Sequence, residues 1–224
     1  LGDFYEMFFE DAVTASKELE ITLTGKNCGQ EQRAPMCGIP YHAVDGYLNK
    51  LVERGYKVAI CEQTEDPKKA KGIVKREVIR IVTPGTNINT QVLDETKNNY
   101  LMGIFYSDEK YGISTVDVTT GDYFVTEVDN DRKLIDEINK FTPSEIVCNE
   151  AFLISNIDID DLKSRLNISV SPLEPWYYDE ELCIRSLNKH FGVSSLDGLG
   201  LKDDTYGVIA AGAIIQYLYE TQKN

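Results

Sequence analysis

The apolar residues of this chain recur with two spacings, one typical of helices and one typical of strands. Val44, Leu48 and Leu51 lie three or four residues apart, so they share one side of a helix. The same criterion predicts helices over residues 10–19, 42–54, 132–141, 159–166, 180–191 and 204–221. The apolar stretch 207–219 has 13 residues, too few to span a bilayer core of ~30 Å, so it predicts a buried helix and no membrane span.

Short runs rich in Val, Ile and aromatic residues predict strands. They cover residues 57–63, 77–83, 100–106, 112–118, 122–128, 145–148 and 168–170. The polar segment 24–33 predicts a loop, and the polar stretch 84–98 predicts a domain boundary. Three strands at short intervals, followed by alternating helices and strands, predict a mixed sheet. We therefore expect two α/β domains, a mixed-sheet domain over 1–90 and a ribonuclease-H-like domain over 98–224.

Charge is distributed unevenly between these two predicted domains. The net charge of −14 would by itself argue against nucleic-acid binding, because phosphates are bound by Lys and Arg. Residues 1–90, however, hold 12 Lys and Arg against 13 Asp and Glu, whereas residues 91–224 hold 11 against 24. The first domain can therefore contact DNA, and the second is better suited to a protein partner.

The cysteines and the N-terminus indicate the cellular setting. The five cysteines are odd in number, no two are separated by two residues, and the chain has only two histidines. This pattern predicts free thiols in a reducing cytoplasm, with neither disulfides nor a zinc site. No basic segment followed by an apolar one opens the chain, so no secretory signal is predicted. Because the first residue is Leu1, we expect a piece of a longer protein.

The first candidate site is an aromatic residue beside a carboxylate near the start of the chain. In an extended segment Phe4 and Glu6 project from the same face, and Tyr5 projects from the other. Such a pair suits a surface on which the ring stacks on a base and the carboxylate meets a base edge. Chemistry alone leaves open the ordinary alternative, a core phenylalanine next to a solvated glutamate.

The second candidate site is a basic cluster that begins in the loop predicted over residues 66–72 and extends into the strand that follows. Its members are Lys68, Lys69, Lys71, Lys75, Arg76 and Arg80. These side chains could contact phosphates and position a domain on DNA without reading its sequence. A solvated loop with no ligand is the alternative.

The motifs resemble the MutS family of DNA mismatch repair proteins. Gly2-Asp3-Phe4-Tyr5-Glu6 is similar to the Phe-x-Glu signature of that family. Further stretches resemble the family in the same order, at residues 35–67, 76–86, 117–127 and 210–222. The resemblance therefore covers nearly the whole chain.

The resemblance implies specific roles for the two domains. Phe4 would enter the minor groove of mismatched double-stranded DNA and stack on the mispaired base, and Glu6 would hydrogen-bond that base. Residues 98–224 would be a connector that relays signals to an ATPase domain and meets a downstream repair factor of the MutL kind. The parent protein would be a homodimer that uses ATP and Mg²⁺. No Gly-x-x-x-x-Gly-Lys-Ser/Thr stretch occurs in these 224 residues, so we expect the ATPase outside them and no catalytic residue within them.

Two other functions are compatible with a ribonuclease-H-like domain. A nuclease of this fold needs acidic residues that converge from the first strand and its neighbours to hold Mg²⁺. The predicted first strand, residues 100–106, contains no acidic residue, and turn chemistry accounts for Asp117 and Asp122 beside a hairpin. The other alternative is a protein-interaction module without DNA selectivity, which the acidic second half favours.

Overall fold

A computed structural model describes residues 3–29, 31–88 and 97–223 of the chain. Contacts divide the chain into two compact units, one that ends at Val58 and one that begins at Ala59. The domain limits 1–90 and 98–224 stay a prediction, and residues 89–96 at that boundary lie outside the described residues.

The first unit is a three-stranded antiparallel sheet with two helices. Its strands are β1 (Phe4–Phe8), β2 (Thr24–Lys26) and β3 (Ala34–Pro40), and its helices are α1 (Phe9–Leu19) and α2 (Val44–Glu53). Strand β3 lies in the centre, between β1 and β2. Alternate residues of the sheet, including Met7, Cys37 and Ile39, pack against Ala12 of α1 and Leu51 of α2. The helices therefore cover one face of the sheet.

Two strands of this sheet were not predicted from the sequence. Strand β3 contains Pro35, Gly38 and Pro40, which are depleted in strands, and β2 lies in the segment 24–33 that was predicted as a loop. The loop prediction was wrong for Thr24–Lys26. Because Cys37 and Ile39 are buried against the helices, tertiary packing outweighs the low strand propensity of their neighbours.

The second unit contains a two-stranded ribbon and a five-stranded mixed sheet. Strands β4 (Val58–Gln63) and β5 (Arg76–Val82) form the ribbon. The sheet contains β6 (Tyr100–Ser107), β7 (Lys110–Asp117), β8 (Tyr123–Val128), β9 (Glu145–Cys148) and β10 (Ser169–Pro172). Its order is β10-β9-β6-β7-β8, in which β6, β7 and β8 pair antiparallel and β6, β9 and β10 pair parallel. This is the ribonuclease-H-like sheet that the sequence predicts.

Helices cover both faces of the five-stranded sheet. They are α3 (Asp131–Phe141), α4 (Glu150–Leu153), α5 (Ile159–Arg165), α6 (Glu180–Phe191) and α7 (Thr205–Gln222). On one face Met102 and Ile104 share a core with Ile138 of α3 and Phe152 of α4. On the other face α7 packs against β6, β7 and β8. Residues 207–215 of α7 are all buried, which confirms the predicted buried helix.

The remaining predicted elements end within two residues of those observed, except that the short helix α4 was not predicted. Side chains at helix starts explain part of this agreement. Asn130 accepts a hydrogen bond from the backbone N–H of Lys133, and Asp179 accepts one from that of Leu182. Within the described ranges, no helix is long and apolar enough to cross a membrane.

Candidate functional site

The face of the three-stranded sheet that α1 and α2 leave open carries Phe4 and Glu6. Strand alternation directs Tyr5 and Met7 toward the helices, and Phe4 and Glu6 away from them. Phe4 is 60% exposed, far more than a core phenylalanine would be. The structure therefore places the aromatic ring and the carboxylate on one accessible surface, called here the open face.

Gly38 lies beneath the ring of Phe4. It pairs with Glu6 across the sheet, and a Cβ added at Gly38 would lie 3.6 Å from Cδ1 of Phe4. Because glycine has no side chain, the ring rests beside bare backbone. Nothing on β3 at this position shields the ring from a ligand.

Lys26 of β2 is paired with the carboxylate of Glu6. Its Nζ donates to Oε2 of Glu6 at 2.7 Å, and the same Nζ lies 5.5 Å from the centre of the Phe8 ring. The Lys26 and Glu6 side chains are 49% and 34% exposed, so solvent screens their attraction and the pair adds little to stability. Its importance is electrostatic, because the lysine offsets the negative charge that Glu6 would present to phosphates. Sequence reasoning missed Lys26, since only the pairing of β2 with β3 brings it near Glu6.

The predicted phosphate-binding residues lie in the second unit, on the connection between β4 and β5. Lys68, Lys69, Lys71, Lys75 and Arg76 are all exposed. A turn at Asp66 orders the start of this connection, where the backbone N–H of Lys68 donates to Asp66 Oδ1 at 2.9 Å. Lys75 forms a salt bridge with Glu77. Arg80, the sixth member of the predicted cluster, is half-buried on β5 and donates to the carbonyl of Thr86, so it is not part of the exposed loop.

Family models match both parts of the chain. The model described as MutS domain I matches residues 1–91, and the model described as MutS domain II matches residues 99–224. This chain belongs to the MutS family. The two models between them span both α/β units, as the resemblance of the motifs implied.

Three relatives carry the name DNA mismatch repair protein MutS and align with the whole of this chain. The protein of Lachnoclostridium phytofermentans is 73% identical over 224 residues, which are 24% of its length. Those of Acetivibrio thermocellus and Alkaliphilus metalliredigens are 51% and 49% identical over 226 and 230 residues, each covering 26% of the relative. This MutS chain therefore spans about a quarter of the length of the curated relatives it matches.

Three acidic residues on or beside the five-stranded sheet of this MutS chain take part in turns and in a buried network. Oδ1 of Asp117 accepts hydrogen bonds from the N–H and the hydroxyl of Thr119, at 2.8 and 2.6 Å. Asp122 accepts one from the hydroxyl of Thr120 at 2.8 Å. Within the part of the chain that the structure describes, no group of three or more His, Cys, Asp or Glu is arranged to hold a metal ion.

Glu145 is fully buried on β9 and binds the Thr83–Thr86 turn to the five-stranded sheet. One carboxylate oxygen accepts from the hydroxyl of Thr83 at 2.6 Å and from the N–H of Gly85 at 3.0 Å. The other accepts from the hydroxyl of Tyr217 at 2.6 Å. Burial, together with the charge of Glu145, raises the pKa of Tyr217 far above its usual range. Residues 84–87, at the start of the polar segment 84–98, are therefore buried.

Proposed function

We propose that this chain is the mismatch-recognition and connector part of a MutS protein, and that its open face binds mismatched double-stranded DNA. The observation that carries the proposal is the exposed Phe4 ring beside Glu6 on a sheet face that no helix of the first unit covers. A core phenylalanine in this position would leave no exposed ring to stack on a base.

In the proposed mechanism, a mismatch is distinguished from a normal pair by how easily the duplex bends there. Phe4 enters the minor groove and stacks on the mispaired base, which unstacks one base step and kinks the duplex at a cost of a few kcal/mol. A mismatched base has already lost part of its pairing, so it is easier to unstack than a Watson–Crick pair. Selectivity then follows from deformability and needs no particular base sequence.

Glu6 would hydrogen-bond the edge of the base on which Phe4 stacks. A carboxylate close to phosphates is repelled by them, and Lys26, whose Nζ lies 2.7 Å from Oε2 of Glu6, reduces that repulsion. The salt bridge is exposed, so Glu6 can exchange Lys26 for a base N–H without a large loss of energy.

The exposed basic loop would supply contacts that hold the duplex without reading its sequence. Lys68, Lys69 and Lys71 form no salt bridge with any residue in the described ranges, so their charges are available to phosphates. Lys75 and Arg76 would contribute at the base of the loop, where Glu77 already partly neutralises Lys75. Phosphate contacts of this kind position a domain and carry no sequence information.

Residues 98–224 would act as the connector of the parent protein, which we propose to be a homodimer in the cytoplasm. They would relay mismatch binding to an ATPase domain outside these 224 residues, where ATP and Mg²⁺ would bind, and they would meet a downstream repair factor of the MutL kind. The excess of acidic residues in this half supports a protein partner and argues against DNA. We propose no catalytic role for residues of this chain.

The decisive experiment replaces the exposed ring. In the full-length protein Phe4→Ala should abolish the preference for a G·T duplex over a homoduplex, measured by fluorescence anisotropy, and leave the salt dependence of binding unchanged. Because the ring fills no core cavity, the free energy of unfolding should change by less than ~0.5 kcal/mol.

Phe9→Ala is the matched control, since Phe9 is 61% exposed but lies at the start of α1 and not on β1. It should retain the mismatch preference. A Phe4→Ala protein that still prefers the mismatch, or that loses the ~3–5 kcal/mol typical of a core phenylalanine, would contradict the proposal.

A further inference from the structure

The loop between β4 and β5 carries an isoleucine that is almost completely exposed. Ile73 is 92% exposed, the highest value for a large apolar side chain in the part of the chain that the structure describes. Single exposed apolar residues are common and need no explanation by themselves. Ile73, however, lies two residues from Lys71 and two from Lys75, in the most basic stretch of the first 90 residues.

A hydrogen bond closes the base of this loop, and the backbone next to Ile73 has open space around it. The backbone N–H of Thr64 donates to the carbonyl of Lys75 at 3.0 Å, which closes the ribbon. A Cβ added at Gly72 would meet no atom within 4 Å, and the φ of +134° at Gly72 favours glycine. The structure therefore exposes Ile73 on this loop and does not pack it against the protein.

The acidic residues of the loop bind the loop itself. The carboxylate of Asp66 accepts from the N–H of Lys68, and that of Glu65 accepts from the N–H of Lys75 at 3.1 Å. Glu77 pairs with the side chain of Lys75. Residues 64–75 hold four lysines against two acidic residues, so the loop that carries Ile73 has a net charge of +2.

We infer that Ile73 inserts into a groove of duplex DNA and forms an apolar contact there, while the neighbouring lysines bind the phosphates that border the groove. This inference rests on the proposed role of the basic loop. Isoleucine is one of the apolar residues that minor-groove proteins place against bases and sugars. The lysines would supply affinity that depends on salt, and Ile73 would supply affinity that does not, because burial of an apolar side chain releases no counterions.

The test measures affinity and its salt dependence separately, in the full-length protein with a homoduplex and a G·T duplex. Ile73→Ser should weaken binding to both duplexes roughly tenfold, as expected when one apolar side chain is no longer buried, with an unchanged slope of log K against log salt. Ile73→Leu should retain the affinity of the natural protein. An Ile73→Ser protein that binds as tightly as the natural one would overturn the inference.

Ile154→Ser is the matched control, because Ile154 is 88% exposed but follows α4 in the acidic second half. It should bind DNA normally. An equal loss of affinity in Ile154→Ser and Ile73→Ser would show a general effect of losing exposed apolar surface, and would also overturn the inference. Binding of the natural protein to anionic vesicles that Ile73→Ser abolishes, with DNA affinity unaltered, would assign Ile73 to a lipid surface instead.

A third variant separates failure of this inference from failure of the proposed function. Changing Lys68, Lys69 and Lys71 together to Gln should make the salt slope shallower by up to roughly 0.9 for each phosphate that is no longer bound. If the salt slope of the triple variant becomes shallower while Ile73→Ser binds normally, the loop contacts phosphates and only the inference about Ile73 is wrong. If the slope does not change, the loop does not meet phosphates, and the inference fails with the proposal on which it rests.

Discussion

The three-stranded sheet of the first unit has helices on one face, whereas the five-stranded sheet of the second unit has helices on both. Phenylalanines on the two sheets therefore differ in exposure. Phe4 on the small sheet is 60% exposed, and Phe152 against the large sheet is completely buried. An uncovered face can meet a ligand, and a sheet covered on both faces provides a rigid support.

Glycines show the same contrast. In the large sheet Gly112 lets α7 approach so closely that an added Cβ would lie 1.9 Å from the carbonyl oxygen of Tyr206. In the small sheet an added Cβ at Gly38 would be in ordinary contact, 3.5 Å from the carbonyl oxygen of Tyr5. The missing side chain of Gly112 permits a helix to pack on the large sheet, whereas that of Gly38 leaves the surface of the small sheet accessible.

The largest expected effect comes from Gly112→Ala. The new methyl group would collide with backbone that cannot move away without displacing α7, so we expect a loss of about 3 kcal/mol in the free energy of unfolding. Trp176 is the single tryptophan and lies in the second unit, so urea unfolding followed by its fluorescence reports on this sheet.

Gly38→Ala is the counterpart on the small sheet and should change the stability of the first unit by less than ~1 kcal/mol, measured by hydrogen exchange of the β1 and β3 amides. Equal losses in the two variants would show that the two sheets do not differ in how closely they are covered.

An intermediate effect is expected from Glu145→Gln. The amide keeps one acceptor oxygen and loses the other, which leaves a buried donor from Thr83, Gly85 or Tyr217 without a partner. The cost should be roughly 2 kcal/mol, again measured by urea unfolding with Trp176 fluorescence.

Glu6→Gln makes the same chemical change on the open face. It weakens only the exposed salt bridge with Lys26, so we expect a change within ~1 kcal/mol in the first unit. A cost at Glu145 as small as that at Glu6 would mean that the Thr83–Thr86 turn is not held by the buried carboxylate.

The smallest effect concerns reactivity and not stability. Cys28 and Cys61 are exposed, whereas Cys37, Cys148 and Cys183 are buried. Burial raises the pKa of Cys37 and raises that of Cys183 to about 12, so little thiolate forms at either residue near neutral pH. Alkylation of the folded chain at about pH 8, located by peptide mass spectrometry, should label the exposed pair and spare the buried three.

Urea should expose all five cysteines to the reagent, which provides the control. Cys37 lies on the covered face of the small sheet, with its thiol 3.5 Å from the carbonyl of Ala12 in α1. Labelling of Cys37 as fast as Cys28 in the folded chain would show that α1 does not cover that face.

Most helices and strands could be predicted because their signals are local. The helical spacing of Val44, Leu48 and Leu51 and the strand residues of 145–148 each depend on neighbours in the chain alone. Strands β2 and β3 could not be found in this way, because β2 has only 3 residues and β3 contains Pro35, Gly38 and Pro40, which have low strand propensity. Those strands exist because α1 and α2 bury Cys37 and Ile39, which are contacts between residues distant in sequence.

For the candidate site, the sequence by itself determined that Phe4 and Glu6 share a face, because side chains alternate along any strand. Only the tertiary structure decided that this face is the open one, since α1 and α2 pack on the other. Lys26 reaches Glu6 through strand pairing, over 20 residues of sequence, which no local pattern reveals. Likewise the Thr83–Thr86 turn is polar in sequence and buried in the fold, because a distant carboxylate, Glu145, satisfies its hydrogen bonds.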